Sequence, residues 1–283
     1  MHPEKVVRAN GVDLCVQEFG APGDPGVLLI AGAASSMDWW EDGLCERIAA
    51  GGRRVVRYDF RDTGRSTASA AGSPGYTGQD LVDDAVALLD VLRLAPAHLV
   101  GISMGAGIAR QIAVGHPHEV ATLTMLSSTP AGSGEPGLPP PDPRLAAFFA
   151  DPPPAPDWSD RAAVVDHVVA GVRAFAGDLG VDEPRVREVA GRMYDRTTDV
   201  AASQTNHWIL DGGGAEREPG GVTVPTLVIH GTADPLFPIA HGEALARETP
   251  GAVFLPLPGV GHEHPPEPFW DTVVDALLRH TAA

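Results

Sequence analysis

The sequence predicts an α/β protein, a mostly parallel sheet flanked by helices and interrupted late in the chain by a helical insertion. Three observations predict it. Short continuous apolar runs recur at 27–30, 55–58, 98–101, 123–126 and 226–229, as expected of strands covered on both faces. Segments with apolar residues at helical spacing lie between several of these runs, and such alternation implies right-handed crossovers in a parallel sheet. After Leu126 the strand pattern stops, and it resumes only at Thr223.

Taken in order, residues 12–19 alternate imperfectly and read as an outer strand. The Gly- and Pro-rich turn 20–26 leads into the apolar run 27–30. Leu81, Ala85, Leu88, Leu89 and Leu92 share one helical face, and Ile108, Ile112 and Ala113 belong to the next helix. Near the end, Leu245 marks one helix, and Val273, Val274, Leu277 and Leu278 mark the last.

Residues 132–219 are expected to form a helical cap, inserted into a core made of 1–131 and 220–283. Pro- and Gly-rich stretches surround helical segments at 145–149, 162–175, 184–194 and 200–209. Regularly spaced Val, Phe, Tyr and Trp argue for packing over a disordered linker, and Pro184 after Asp182 and Glu183 is a helix start signal.

Composition narrows the function classes. The chain has 283 residues, 43% of them apolar, enough for a sizeable core. A net charge of −17 argues against nucleic acid and against anionic membrane surfaces, both of which require clustered Lys and Arg. Cys15 and Cys45 are the only cysteines, in neither C-x-x-C nor metal-ligand spacing. No membrane-length apolar run or leader-like N-terminus is present, so a cytoplasmic monomer or homodimer is expected.

The chemistry centres on Gly101-Ile102-Ser103-Met104-Gly105, a G-x-S-x-G motif. Such a motif is weak alone. Here it follows the run ending at Val100 and opens the helix at Met104, the context a nucleophile elbow needs. A serine hydroxyl requires a base oriented by an acid. Asp234 follows the run 226–229, and His262 stands in Gly259-Val260-Gly261-His262. Both lie beyond strand ends, where open α/β sheets gather their sites, and in the order Ser, Asp, His. His264 is the rival base, although glycines precede His262. After Leu126 stand Ser127, Ser128 and Thr129, so no alternative acid sits there.

An oxyanion needs backbone donors. The amide of Met104 is one candidate. The other is the amide of Ala33 in the loop 31–35, with Gly32 and Ala34 as alternatives. No metal is expected, since His116-Pro117-His118 and His262-Glu263-His264 lack H-E-x-x-H spacing, and no cofactor, since no G-x-G-x-x-G follows a strand.

At these residues the chain resembles the α/β-hydrolase superfamily over nearly its whole length. The stretch 57–66 resembles the superfamily's D-x-R-G-x-G-x-S pattern, with Asp62 where the first glycine stands. That variant, together with the segments 101–106 and 224–229, most resembles the aclacinomycin methylesterases, and macrolide esterases are similar too. The usual His-Gly before the oxyanion loop is Ala31-Gly32 here.

The resemblance implies Ser103, Asp234 and His262 as the triad, and Ala33 and Met104 as oxyanion donors. It implies hydrolysis through an acyl-enzyme of a bulky hydrophobic ester or lactone, such as an anthracycline methyl ester or a macrolide. Trp39, Phe148, Tyr194, Trp208 and Phe237 are the candidate substrate contacts, and Asp166, Asp195 and Asp199 the acids placed to meet an aminosugar. The alternatives are a cofactor-free perhydrolase using the same triad and a ligand receptor that retains the fold.

Overall fold

A computed structural model describes residues 2–130, 137–211 and 221–282. The Asn10-Gly11 pair, with φ of 44° and 75°, turns β1 (Glu4–Ala9) back onto β2 (Val12–Phe19) in a two-residue hairpin. β2, expected at the edge of the sheet, is therefore its second strand. β1 escaped the sequence pattern because edge exposure removes the need for an apolar run; Val6 is largely solvent-facing.

The remaining strands are β3 (Gly26–Ile30), β4 (Arg54–Tyr58), β5 (Ala97–Ile102), β6 (Val120–Leu126), β7 (Thr226–Gly231) and β8 (Val253–Leu257). They form one eight-stranded sheet in the order β1-β2-β4-β3-β5-β6-β7-β8. β1/β2 and β2/β4 pair antiparallel, and every other pair is parallel. β3, β5 and β7 are buried along their full length. Each fully buried aliphatic side chain there, such as Leu28, Leu99 or Val228, contributes about 1.5–3 kcal/mol by leaving water.

α1 (Asp42–Ala50) packs against α9 (Trp270–His280), and α2 (Gly78–Val91) packs against α3 (Met104–Gly115). α8 (Ala240–Glu248) follows β7. α1 was not legible as a helix, since only Leu44, Cys45 and Ile48 of its nine residues are buried.

Between β6 and β7 the chain forms α4 (Pro143–Ala150), α5 (Arg161–Phe175), α6 (Glu183–Arg196) and α7 (Val200–Thr205), then a 3-10 turn at Asn206–Trp208. An aspartate opens each helix by accepting a backbone N–H: Asp142, Asp160, Asp182 and Asp199. Val164, Val165, Val168, Val169, Ala190 and Met193 make a second, small core between α5 and α6. The boundaries expected at 131/132 and 219/220 lie outside the described residues.

Candidate active site

The turn between β5 and α3 explains its own sequence. Ser103 sits at φ 54°, ψ −120°, a conformation that costs a non-glycine residue about 1–3 kcal/mol. A Cβ on Gly101 would fall 2.2 Å from the Gly105 carbonyl oxygen, and one on Gly105 would fall 2.3 Å from that of Ala31. Both positions therefore require glycine. The Ser103 amide donates to the Leu126 carbonyl at 3.0 Å, and the Ser103 carbonyl accepts from Ala106 at 3.0 Å. This locks the elbow to β6 and to its own helix.

Asp234 and His262 arrive on the loops after β7 and β8. Asp234 is 3% exposed. Its Oδ1 accepts the amides of Leu236 (2.9 Å) and Phe237 (2.8 Å), and its Oδ2 accepts from His262 Nδ1 at 2.8 Å. Because a carboxylate only accepts, Nδ1 carries the proton. Nε2 is then left to accept from Ser103 Oγ, 3.0 Å away.

The His262 loop is seated by close backbone approach. The His262 amide donates to the Phe175 carbonyl at 2.9 Å. A Cβ on Gly261 would meet Gly177 N at 2.3 Å and Phe175 O at 2.4 Å. The glycine that singled out His262 in the sequence thus reflects contact with the end of α5.

Neighbouring histidines have other partners. His264 stands edge-on to Trp40 at 4.8 Å between ring centroids. Burial, helped by nearby His262, pushes its pKa down to about 3. His230 Nε2 donates to the Phe237 carbonyl at 2.7 Å, and burial lowers its pKa too. Glu263 accepts from the Gly261 amide at 3.1 Å, and burial raises its carboxyl above the usual range.

On the loop after β3, the Ala34 amide is already committed to His207 Nδ1 at 3.0 Å, which removes it from the oxyanion alternatives. Among the described residues neither the Ala33 nor the Met104 amide has an acceptor. Met104 is the first residue of α3, where helical amides lack an internal partner.

Ser103, His262 and Ala33 open into a cavity of about 630 Å³. The candidate contacts Trp39, Phe148 and Trp208 line it, and Phe175, Val168 and Val189 add apolar wall. Tyr194 and Phe237 do not line it. Tyr194 packs against the α5–α6 core and donates to the Ser159 carbonyl at 2.9 Å. Phe237 packs edge-on against His262, 5.4 Å between centroids.

The three acids expected to meet a cation are engaged elsewhere. Asp166 pairs with Arg187, Asp195 pairs with Arg161, and Asp199 caps α7. Sequence reading missed Arg185, a cavity residue held by Glu41 at 2.8 Å and stacked over Trp270 at 4.6 Å. No spacing motif marks it. Among the described residues no His, Cys, Asp and Glu cluster can hold a metal ion, and no helix is long and apolar enough to cross a membrane.

A mostly parallel sheet with this strand order, an elbow after β5, and an acid and a base beyond β7 and β8 define the α/β-hydrolase fold. The chain belongs to the hydrolase family described as Serine aminopeptidase, S33, whose model matches residues 23–268.

It is similar to the rhodomycin D methylesterase DnrP of Streptomyces peucetius, 30% identical over 299 residues and covering 99% of both chains. It is also similar to the rhodomycin D methylesterase DauP of Streptomyces sp. (strain C5), 31% identical over 303 residues with 99% of both covered. Among solved structures, the esterase EaEST from Exiguobacterium antarcticum has the same fold, with a TM-score of 0.77, 21% identity, and 99% of this chain and 100% of that one covered. The chain is a carboxylic ester hydrolase.

Proposed function

We propose that this ester hydrolase works through an acyl-enzyme on Ser103 and that its substrate is a bulky hydrophobic ester or lactone of the polyketide-antibiotic kind. The observation that carries the reading is the hydrogen-bonded line from Ser103 Oγ through His262 to Asp234, at 3.0 and 2.8 Å, opening into an apolar cavity of about 630 Å³. That volume suits a drug-sized ligand.

In this mechanism Ser103 Oγ attacks the ester carbonyl carbon while His262 Nε2 takes the hydroxyl proton. The amides of Ala33 and Met104 receive the oxyanion. Each such donor is typically worth about 10²–10³ in rate. Collapse breaks the acyl–oxygen bond, and His262 returns its proton to the departing alcohol. Water, deprotonated by His262, then attacks the acyl carbon and releases the acid. Asp234 holds the imidazole in the tautomer that leaves Nε2 basic and stabilises its cation.

The helices α4 to α7 and the 3-10 turn after them act as the cap expected over 132–219 and present Phe148 and Trp208 to the substrate. Two methylesterase relatives acting on rhodomycin D support a methyl ester on a polyketide scaffold as the first substrate to try. Buried, free Cys15 and Cys45 suit a reducing, cytoplasmic setting.

The test is a panel of anthracycline methyl esters, macrolides and short aryl esters against the wild type and Ser103→Ala. Turnover of the bulky esters, abolished by Ser103→Ala, is expected. Activity confined to short acyl esters would reject the substrate, and full activity of Ser103→Ala would reject the nucleophile.

A further inference from the structure

The loop after β3 is held from outside the sheet. Ala34 adopts φ 57°, the left-handed region that a non-glycine residue keeps only when its surroundings impose it. Both backbone polar atoms of Ala34 are gripped by the end of α7 and the 3-10 turn that follows it. Its N–H donates to His207 Nδ1 at 3.0 Å, and its carbonyl accepts from Gln204 Nε2 at 3.3 Å.

His207 is itself fixed. Its Nε2 lies 2.9 Å from the Arg61 carbonyl, which can only accept, so Nε2 bears the proton and Nδ1 keeps its lone pair for Ala34. Its ring stands edge-on to Phe60 at 5.6 Å. The next residue back, Asn206, donates to Asp62 Oδ2 at 2.7 Å and accepts from Gly72 N at 2.7 Å.

We propose that His207 is a positioning residue for ester hydrolysis, which aims the Ala33 amide at the oxyanion by immobilising the peptide that joins Ala33 to Ala34. The inference rests on the assignment of Ala33 as an oxyanion donor. The Ala34 nitrogen and the Ala33 carbonyl belong to one planar unit, so anchoring that nitrogen fixes the torsion that follows the donor. Without the anchor the left-handed turn at Ala34 relaxes and the donor swings. The reacting alignment suffers, while the ground state, held by the cavity walls, is little affected. His207 is 7% exposed, and burial lowers its pKa, which keeps Nδ1 an acceptor at neutral pH.

Two substitutions separate positioning from mere packing. Asn sets its side-chain carbonyl near the place of Nδ1 and so retains an acceptor for Ala34. Gln reaches the place of Nε2 and retains a donor for Arg61, but leaves Ala34 unbound. With a p-nitrophenyl ester, His207→Gln is expected to lose about 10- to 100-fold in kcat with KM nearly unchanged, and His207→Asn to remain within about threefold of the wild type.

Melting temperatures measured alongside show whether any loss follows stability instead. Equal kcat in both variants, or losses in both that simply follow the melting temperature, would overturn the proposal. Ser103→Ala serves as the reference. If it keeps turnover, the nucleophile assignment falls. If it is inactive while His207→Gln retains full kcat, only the role of His207 falls.

Discussion

Arg196 Nη2 donates to Asp59 Oδ2 at 2.8 Å, joining the end of α6 to the loop after β4 across 137 residues of sequence. Asp59 is fully buried. Its carboxylate also accepts from the amides of Met37 (2.9 Å) and Arg65 (3.0 Å). The same guanidinium pairs with Glu4 at 2.8 Å and with buried Asp38. The helices between β6 and β7 are thus tied to the sheet by one cation that serves three carboxylates.

Arg196→Leu is expected to destabilise the protein by about 3–5 kcal/mol, because it strands buried carboxylates without a counter-charge. Urea unfolding followed by circular dichroism checks this through a lowered midpoint with an unchanged slope. A midpoint within error of the wild type would show that the ion pairs contribute nothing net.

Gly261→Ala is expected to lower kcat by about 10²-fold or more while the fold is kept. The new methyl would occupy the space of Gly177 N and Phe175 O. The loop must therefore shift and take His262 off the 3.0 Å line to Ser103. Steady-state kinetics beside circular dichroism make the test. Unchanged kcat would mean that the loop accommodates the methyl without moving its histidine.

Stability is expected to fall as pH drops below about 6.5. Burial holds His98 at a pKa of about 4 and His264 at about 3, against an ordinary value of 6.5. Between those limits the unfolded chain binds protons that the native state does not, so stability rises with pH. The contribution is complete above 6.5 and is lost progressively on acidification, at up to about 1.4 kcal/mol per pH unit for each histidine. Urea midpoints at pH 7 and pH 5 should fall less for His98→Leu than for the wild type. An identical fall in both would contradict the shift at His98.

Legibility followed the physics of each feature. The elbow was readable because close approach at Gly101 and Gly105 forces glycine, the candidate acid Asp234 because it follows a buried strand, and the candidate base His262 because it follows that acid in a set order behind a glycine that close packing requires. β1 was not readable, since an edge strand with one face in water needs no apolar run. Tyr194 and Phe237, candidate substrate contacts by sequence, lie off the cavity wall, because aromatic content does not say which way a ring turns. His207 carried no motif; its meaning comes from a contact with Ala34, 173 residues away. Asp62, the departure from the D-x-R-G pattern, gains its explanation only in three dimensions. It takes the left-handed φ of 68° that glycine would, and its carboxylate accepts from Tyr76 and Asn206.

The most direct measurement is intact-mass spectrometry of the protein quenched in acid within milliseconds of mixing with an activated bulky ester, followed by peptide mapping. An acyl adduct on the peptide holding Ser103, absent from Ser103→Ala and lost on longer incubation, is the result expected. Continued turnover with no adduct on Ser103, or an adduct that persists in Ser103→Ala, would contradict the assignment of Ser103 as the nucleophile.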